Sequence, residues 1–245
     1  MTTSNDIIKL GAKKPSIFKD KVMALLPDNG NLNLCLTCGA CSSGCPATGL
    51  LGMDPRKFLR MAALGMDDVL LSTEWVWMCT LCKRCVYVCP MKIDIPALVH
   101  HARGARQREN MPKNIVKSCD MAFTHDTCSS TGLSVKDWID VVQSVEEEVR
   151  EEQAGFESLQ APMDKQNAYF FLNQNSREPV ADPDEMVPIW KILHLAGADW
   201  TYSSVGWAAE NYCMFMNDTK NWERMVRFKS QAVENLGCKV WLNTE

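Results

Sequence analysis

Two stretches decide how this chain folds: Cys35-Leu-Thr-Cys38-Gly-Ala-Cys41-Ser-Ser-Gly-Cys45-Pro46 and Cys79-Thr-Leu-Cys82-Lys-Arg-Cys85-Val-Tyr-Val-Cys89-Pro90. Both read C-x2-C-x2-C-x3-C-P, and together they hold eight of the twelve cysteines. Twelve cysteines in a secreted chain would suggest a disulfide framework, but thiols crowded into two short runs are better explained as metal ligands in a reducing compartment. The 245 residues, 46% hydrophobic, suffice for a real core in one large domain or two small ones. A net charge of −4 offers no basic field of the kind that binds nucleic acid or anionic lipid. The longest apolar runs, at 168–172 and 75–79, fall far short of the ~20 residues a membrane-spanning helix needs. The N-terminus has no basic stretch followed by an apolar core, so a secretory signal is not expected. A cytoplasmic metalloprotein is the reading that composition supports.

The spacing is that of bacterial two-cluster ferredoxins, in which three close thiolates bind one cubane and the fourth crosses to its neighbour. The proline after the fourth cysteine restricts the backbone there and helps turn that thiolate away from its own triplet. On this rule Cys35, Cys38, Cys41 and Cys89 hold one [4Fe-4S] cluster, and Cys79, Cys82, Cys85 and Cys45 hold the other. The alternative is a pair of four-cysteine zinc sites, which usually use two separated CxxC pairs. Eight thiolates and two oxidised cores take the apoprotein's formal charge of −4 to about −8. Lys83 and Arg84 could offset part of this and raise the potential of the second cluster; a solvated pair or a partner contact is the competing reading. The first motif offers only Gly39 and Ala40 at those positions.

Between the motifs, Asp54 as N-cap and Pro55 at the first position predict a helix that Gly65 ends. A second short helix is expected from Ser72, as N-cap, through Trp77. Trp75 and Trp77 read as core packing before electron relays. Ile95-Pro96 starts another helix, past His100 and His101 to about Arg108, whose histidines read as surface or cap residues. Val135, Trp138, Ile139 and Val142 mark an amphipathic helix, and the charge run from Glu146 reads as a solvated face and a linker. From Asn167 the pattern alternates. Strands are expected at 168–172, 199–203 and 238–242, with helices at 184–196, stopped by Gly197, and at 220–236, started by Thr219 and stopped by Gly237. Strands alternating with helices imply a small parallel α/β unit.

The chain resembles the heterodisulfide-reductase-like iron-sulfur subunits, in which a helical two-cluster ferredoxin precedes α/β domains of the cysteine-rich CCG type. Within them it is most similar to subunits of quinol-linked membrane complexes that serve dissimilatory sulfite reduction in sulfate reducers. The resemblance covers essentially the whole chain and rests on the twin motifs, including Cys41-Ser-Ser-Gly-Cys45-Pro46-Ala47. It implies an α+β protein: an N-terminal extension (1–30), a helical bis-[4Fe-4S] ferredoxin domain (31–112), a helical linker (113–165) and an incomplete CCG-like half-domain (166–245). In that half-domain Asn173 stands where the family would carry a cysteine, and Tyr212-Cys213 where it would carry a Cys-Cys pair. A further CCG-type [4Fe-4S] cluster is expected only if the chain continues beyond Glu245. Cys213 and Cys238 then read as buried free thiols rather than remnants of a cluster site. Cys119, His125, Asp126 and Cys128 form a zinc alternative of non-standard spacing.

The resemblance further implies one-electron transfer from a quinol-linked cytochrome b-like membrane subunit towards thiol or disulfide reduction, with a small sulfur-carrier protein as a further partner. The chain would sit in the cytoplasm, peripheral on the membrane through partner subunits. No catalytic residue is visible. Two alternatives stay open: the iron-sulfur wire of a flavin-dependent dehydrogenase complex, and a noncatalytic redox-sensing or assembly module.

Overall fold

A computed structural model of the chain describes residues 16–25, 27–210 and 212–244. The chain divides into two compact units, Met1–Gln107 and Arg108–Glu245. The boundary therefore precedes the expected one, and residues 113–165, read above as a linker, belong to the second unit.

The first unit contains α1 (Ile17–Leu25), α2 (Ala40–Gly44), α3 (Pro55–Leu64), α4 (Asp67–Ser72), α5 (Arg84–Val88) and α6 (Ile95–Gly104), joined by 3-10 turns. Local chemistry sets these boundaries. At α3 the Asp54 carboxylate accepts from Lys57 N–H at 2.9 Å, Pro55 fills the first turn, and Gly65 closes the helix at φ 69°. At α6 Asp94 accepts from Ala97 N–H at 3.0 Å. That helix ends at Gly104, short of the expected Arg108.

Ser72 does not start a helix: Asp67 and Asp68 begin α4 earlier, α4 ends on Ser72, and Thr73 caps a 3-10 turn at Glu74–Trp77. Nor is all of 1–30 an extension. Phe18 and Val22 of α1 are buried, and Asp67 accepts from Ser16 Oγ at 2.6 Å and from Phe18 N–H at 3.0 Å. Residues 1–15 of that expected segment lie outside the described residues. Phe58, Leu59, Ala62, Trp75, Leu98 and Val99 fill the interior of this unit.

The second unit runs α7 (Lys113–Met121), α8 (Val135–Glu152), β1 (Phe170–Asn175), α9 (Glu178–Ala181), α10 (Val187–Leu195), β2 (Trp200–Thr201), β3 (Ala208–Ala209), α11 (Tyr212–Met216), α12 (Thr219–Asn235) and β4 (Val240–Asn243). Among the described residues the named strands all pair in parallel with β1, Phe170 opposite Trp200 and Val240 and Gln174 opposite Ala208, and an isolated parallel bridge joins Met163 to Tyr202. Successive strand residues face opposite sides. Phe171 accordingly packs on Ala232 of α12 and on Leu236 just past its end, while Leu172 joins Trp138, Trp190 and Tyr202 on the other face. A sheet buried on both faces explains the continuous apolar run at its centre.

The charged stretch from Glu146 is no linker, because α8 carries through it. Ser134 caps this helix by accepting from Asp137 N–H at 3.1 Å, and Trp138, Val142, Val145 and Val149 are buried along one face. The glutamates occupy the opposite face, as an amphipathic helix requires. Each expected strand of this unit is present at altered bounds, and β3 is additional.

Candidate iron-sulfur centre

The two cysteine runs adopt the same backbone. Thr37 and Leu81 have φ of 55° and 58°, and Gly39 and Lys83 have φ of 85° and 62°. Gly39 and Lys83 precede α2 and α5; their carbonyls accept from Ser42 and Ser43, and from Val86 and Tyr87, at 2.9 and 3.1 Å in each run. Three of these four left-handed residues carry a Cβ, and Thr37 is β-branched, so the loops are held in conformations that cost of order 1–3 kcal/mol per residue. Strain of this kind persists where surrounding structure fixes it, as at a ligand clamp. Thr37 N–H donates to Cys35 Sγ at 3.4 Å, and Leu81 N–H does the same for Cys79.

The third cysteine of each run, Cys41 or Cys85, is buried on its short helix. The fourth ends the helix in extended backbone, Cys45 at φ −92°, ψ 123° and Cys89 at φ −74°, ψ 121°. The following Pro46 and Pro90 dictate this, since a proline ring excludes the helical region for the residue before it. The chain therefore turns out of each helix at its fourth thiol. α2 packs against α5, which brings the two turns together.

Two cavities result. One is lined by Cys35, Cys38 and Cys41 together with Cys89, and walled by Leu36, Leu59, Met91, Ile93 and Ile95. The other is lined by Cys79, Cys82 and Cys85 together with Cys45, and walled by Ala47, Trp75, Met78, Ile95 and Pro96. Four soft thiols around an apolar hollow form the donor set that a [4Fe-4S] core takes, with the low local dielectric that influences its potential. Burial pushes the Cys41 thiol up and raises Cys79, the latter against the pull of Leu81 N–H and Arg103. Cys85 is pushed up to about 12 by burial and by the neighbouring Cys79. Bound iron reverses this preference, because a cation takes the thiolate and releases the proton.

The cations beside the cavities are the expected pair and two further arginines. Lys83 and Arg84 line the second cavity but are exposed. The first cavity has an arginine after all, Arg56 of α3, also exposed. Behind the second lies Arg103, fully buried, donating from Nε to Val76 O at 2.9 Å and from a terminal nitrogen to Cys79 O. Its position four residues after Val99, on the apolar face of α6, is the one sequence signal that could have found it. Trp75 is core: its indole N–H donates to Ala47 O at 2.9 Å, and it packs on Phe58. The guanidinium groups of Arg103 and Arg106 both lie over the Trp77 ring, at 5.4 and 5.9 Å. His100 and His101 are half-buried on α6.

In the second unit, the expected free thiol Cys213 is instead disulfide-bonded to Cys119, tying α11 to α7. This also removes Cys119 from the zinc alternative. Sequence spacing could not reveal the pairing, which joins residues 94 apart. Cys128 is buried and Cys238 half-buried, both free. Asn173 is buried in β1; its amide donates to Trp207 O at 2.8 Å, and its Oδ1 accepts from the Trp241 indole. No described helix is long and apolar enough to cross a membrane.

Comparison with known proteins agrees with the cavities. The 4Fe-4S dicluster domain family matches residues 31–93, so the chain is an iron-sulfur protein with two [4Fe-4S] clusters. Its relatives are more particular. It is 34% identical over 110 residues to the C2 component of the H(2)/formate:CoB-CoM heterodisulfide,ferredoxin reductase of Methanococcus maripaludis, covering 44% of this chain and 54% of that one. Identity is 35% over 87 residues with the C component of the H(2):CoB-CoM heterodisulfide,ferredoxin reductase of Methanothermobacter marburgensis, covering 36% and 46%. It is 37% over 82 residues with an iron-sulfur component, C 2, of the CoB--CoM heterodisulfide reductase of Methanocaldococcus jannaschii, covering 33% and 44%. The chain spans about half the length of the curated relatives it matches. No solved structure matches it. Over the shared region, the chain is an iron-sulfur protein similar to the C component of heterodisulfide reductases.

Proposed function

We propose that the chain is an electron-transfer subunit that passes electrons one at a time through its two clusters within a heterodisulfide-reductase-like complex. The cluster supplies the one-electron chemistry; the protein sets its spacing, burial and potential. Cys35, Cys38, Cys41 and Cys89 hold the first cluster, and Cys79, Cys82, Cys85 and Cys45 the second. The observation that carries this reading is the pair of cavities, each walled by three thiols of one run and the fourth of the other. Their adjacency through α2 and α5 suits passage from one cluster to the next.

The first unit is the helical ferredoxin domain and the second a worn CCG-like half-domain. With Asn173 hydrogen-bonded in β1 and Cys213 engaged by Cys119, thiol or disulfide reduction falls outside these residues. The partners are the other subunits of a redox complex, among them a quinol-linked cytochrome b-like membrane subunit and a small sulfur carrier. They place the chain peripherally on the cytoplasmic membrane in sulfur or sulfate respiration.

Anaerobically purified chain should contain about eight irons, with two reducible clusters by low-temperature EPR. Zinc in their place, or clusters that pass no electron to a co-purified partner subunit, would refute the proposal.

A further inference from the structure

The arginines near the second cavity are not equivalent. Lys83 and Arg84 stand in solvent, where a charge is screened, and so does Arg56 beside the first cavity. Arg103 is fully buried. Its guanidinium forks onto the carbonyls of Val76 and Cys79 and lies over the Trp77 ring at 5.4 Å. The neighbouring Arg106 is tied to Glu74 at 3.3 Å and to the Thr73 carbonyl, so its charge is matched and it makes no bond to a ligand residue.

We propose that Arg103 is a positioning residue of the second centre: its buried guanidinium fixes the Cys79 loop and raises the potential of the cluster bound by Cys79, Cys82, Cys85 and Cys45. Reduction adds one electron, and so one negative charge, to that cluster. A cation held in a low-dielectric interior favours the reduced form far more than an exposed one. This rests on the two-cluster reading above.

The test is an EPR-monitored redox titration of the full chain, kept anaerobic. Arg103→Met should shift one of the two midpoints downward by at least a tenfold change in its equilibrium constant, ~59 mV for one electron, and leave the other in place. Arg103→Lys, which keeps the charge, should recover most of that shift. Arg106→Met, which disturbs the same tryptophan, should move neither.

Both midpoints unchanged in an Arg103→Met protein that holds two clusters would overturn the inference. If Arg103→Met loses iron, Arg103→Gln takes its place, and a lowered midpoint there supports tuning while an unchanged one overturns it. Iron loss in Arg103→Lys as well would make the residue a fold anchor only and also overturn it. If the unsubstituted chain lacks two clusters, the underlying reading fails instead.

Discussion

Cys45 stands in the first run but lines the second cavity. Its replacement by Ser should therefore weaken the EPR signal of the cluster served by Cys79, Cys82 and Cys85, and spare the one nearer in sequence. Loss of the sequence-local signal instead would contradict the crossed arrangement. Lys83 offers a test of backbone strain. It occupies at φ 62° the position that Gly39 fills at φ 85° in the other run, and a left-handed residue with a Cβ costs roughly 1–2 kcal/mol. Lys83→Gly should keep both clusters and raise the thermal stability of the loaded protein by up to about 1 kcal/mol, after the greater unfolded-state entropy of glycine is deducted. Lower stability in the variant would show that the Lys83 side chain matters more than the turn. The eight thiols themselves were legible in the sequence because their spacing is periodic and followed by proline. Arg56 was not, because only the packing of α3 brings it to the first cavity, and Arg103 left no more trace than its place four residues after Val99 on the apolar face of α6.

Among the elements, α3 shows how far local rules reach. Asp54, Pro55 and Gly65 define both ends of this helix in sequence and in structure alike. Asp54 does more than cap, since Ser42 Oγ of the first cysteine run donates to its carboxylate at 2.7 Å. Burial pushes this carboxyl up, but the hydrogen bonds from Lys57 N–H and Ser42, with the Arg56 charge, outweigh it and hold it below its ordinary value. A depressed carboxyl contributes stability above the unfolded value of about 3.9 and loses it as pH falls through the folded one. Asp54→Ala should therefore cost about 1 kcal/mol near neutral pH and less once the carboxyl is protonated, as chemical denaturation across that range would measure. Asp54→Asn should keep most of the cap while removing its acid dependence. The charge run in α8 was less legible: its glutamates dominate the composition, while Val145 and Val149 at helical spacing carry the burial. Strands β2 and β3 are two residues each and are set by pairing with β1, so local propensity gives little warning of their bounds.

For the molecule as a whole, the Cys119–Cys213 disulfide closes a long loop in the second unit. Such a cross-link stabilises mainly by restricting the unfolded chain, typically by 2–4 kcal/mol. Cys213→Ala should lower the unfolding midpoint of the oxidised protein measurably, and a reducing agent should lower the parent to the same value without further effect on the variant. A parent indifferent to reductant would mean that the bond contributes nothing to stability. The first unit depends on a cross-link of another kind. Each of its cavities borrows one wall residue from the opposite run, Cys89 for one and Cys45 for the other. On the proposed ligation neither half matures alone: a polypeptide severed between the two runs would offer each nascent core three sulfurs and leave its last corner bare until the halves meet again.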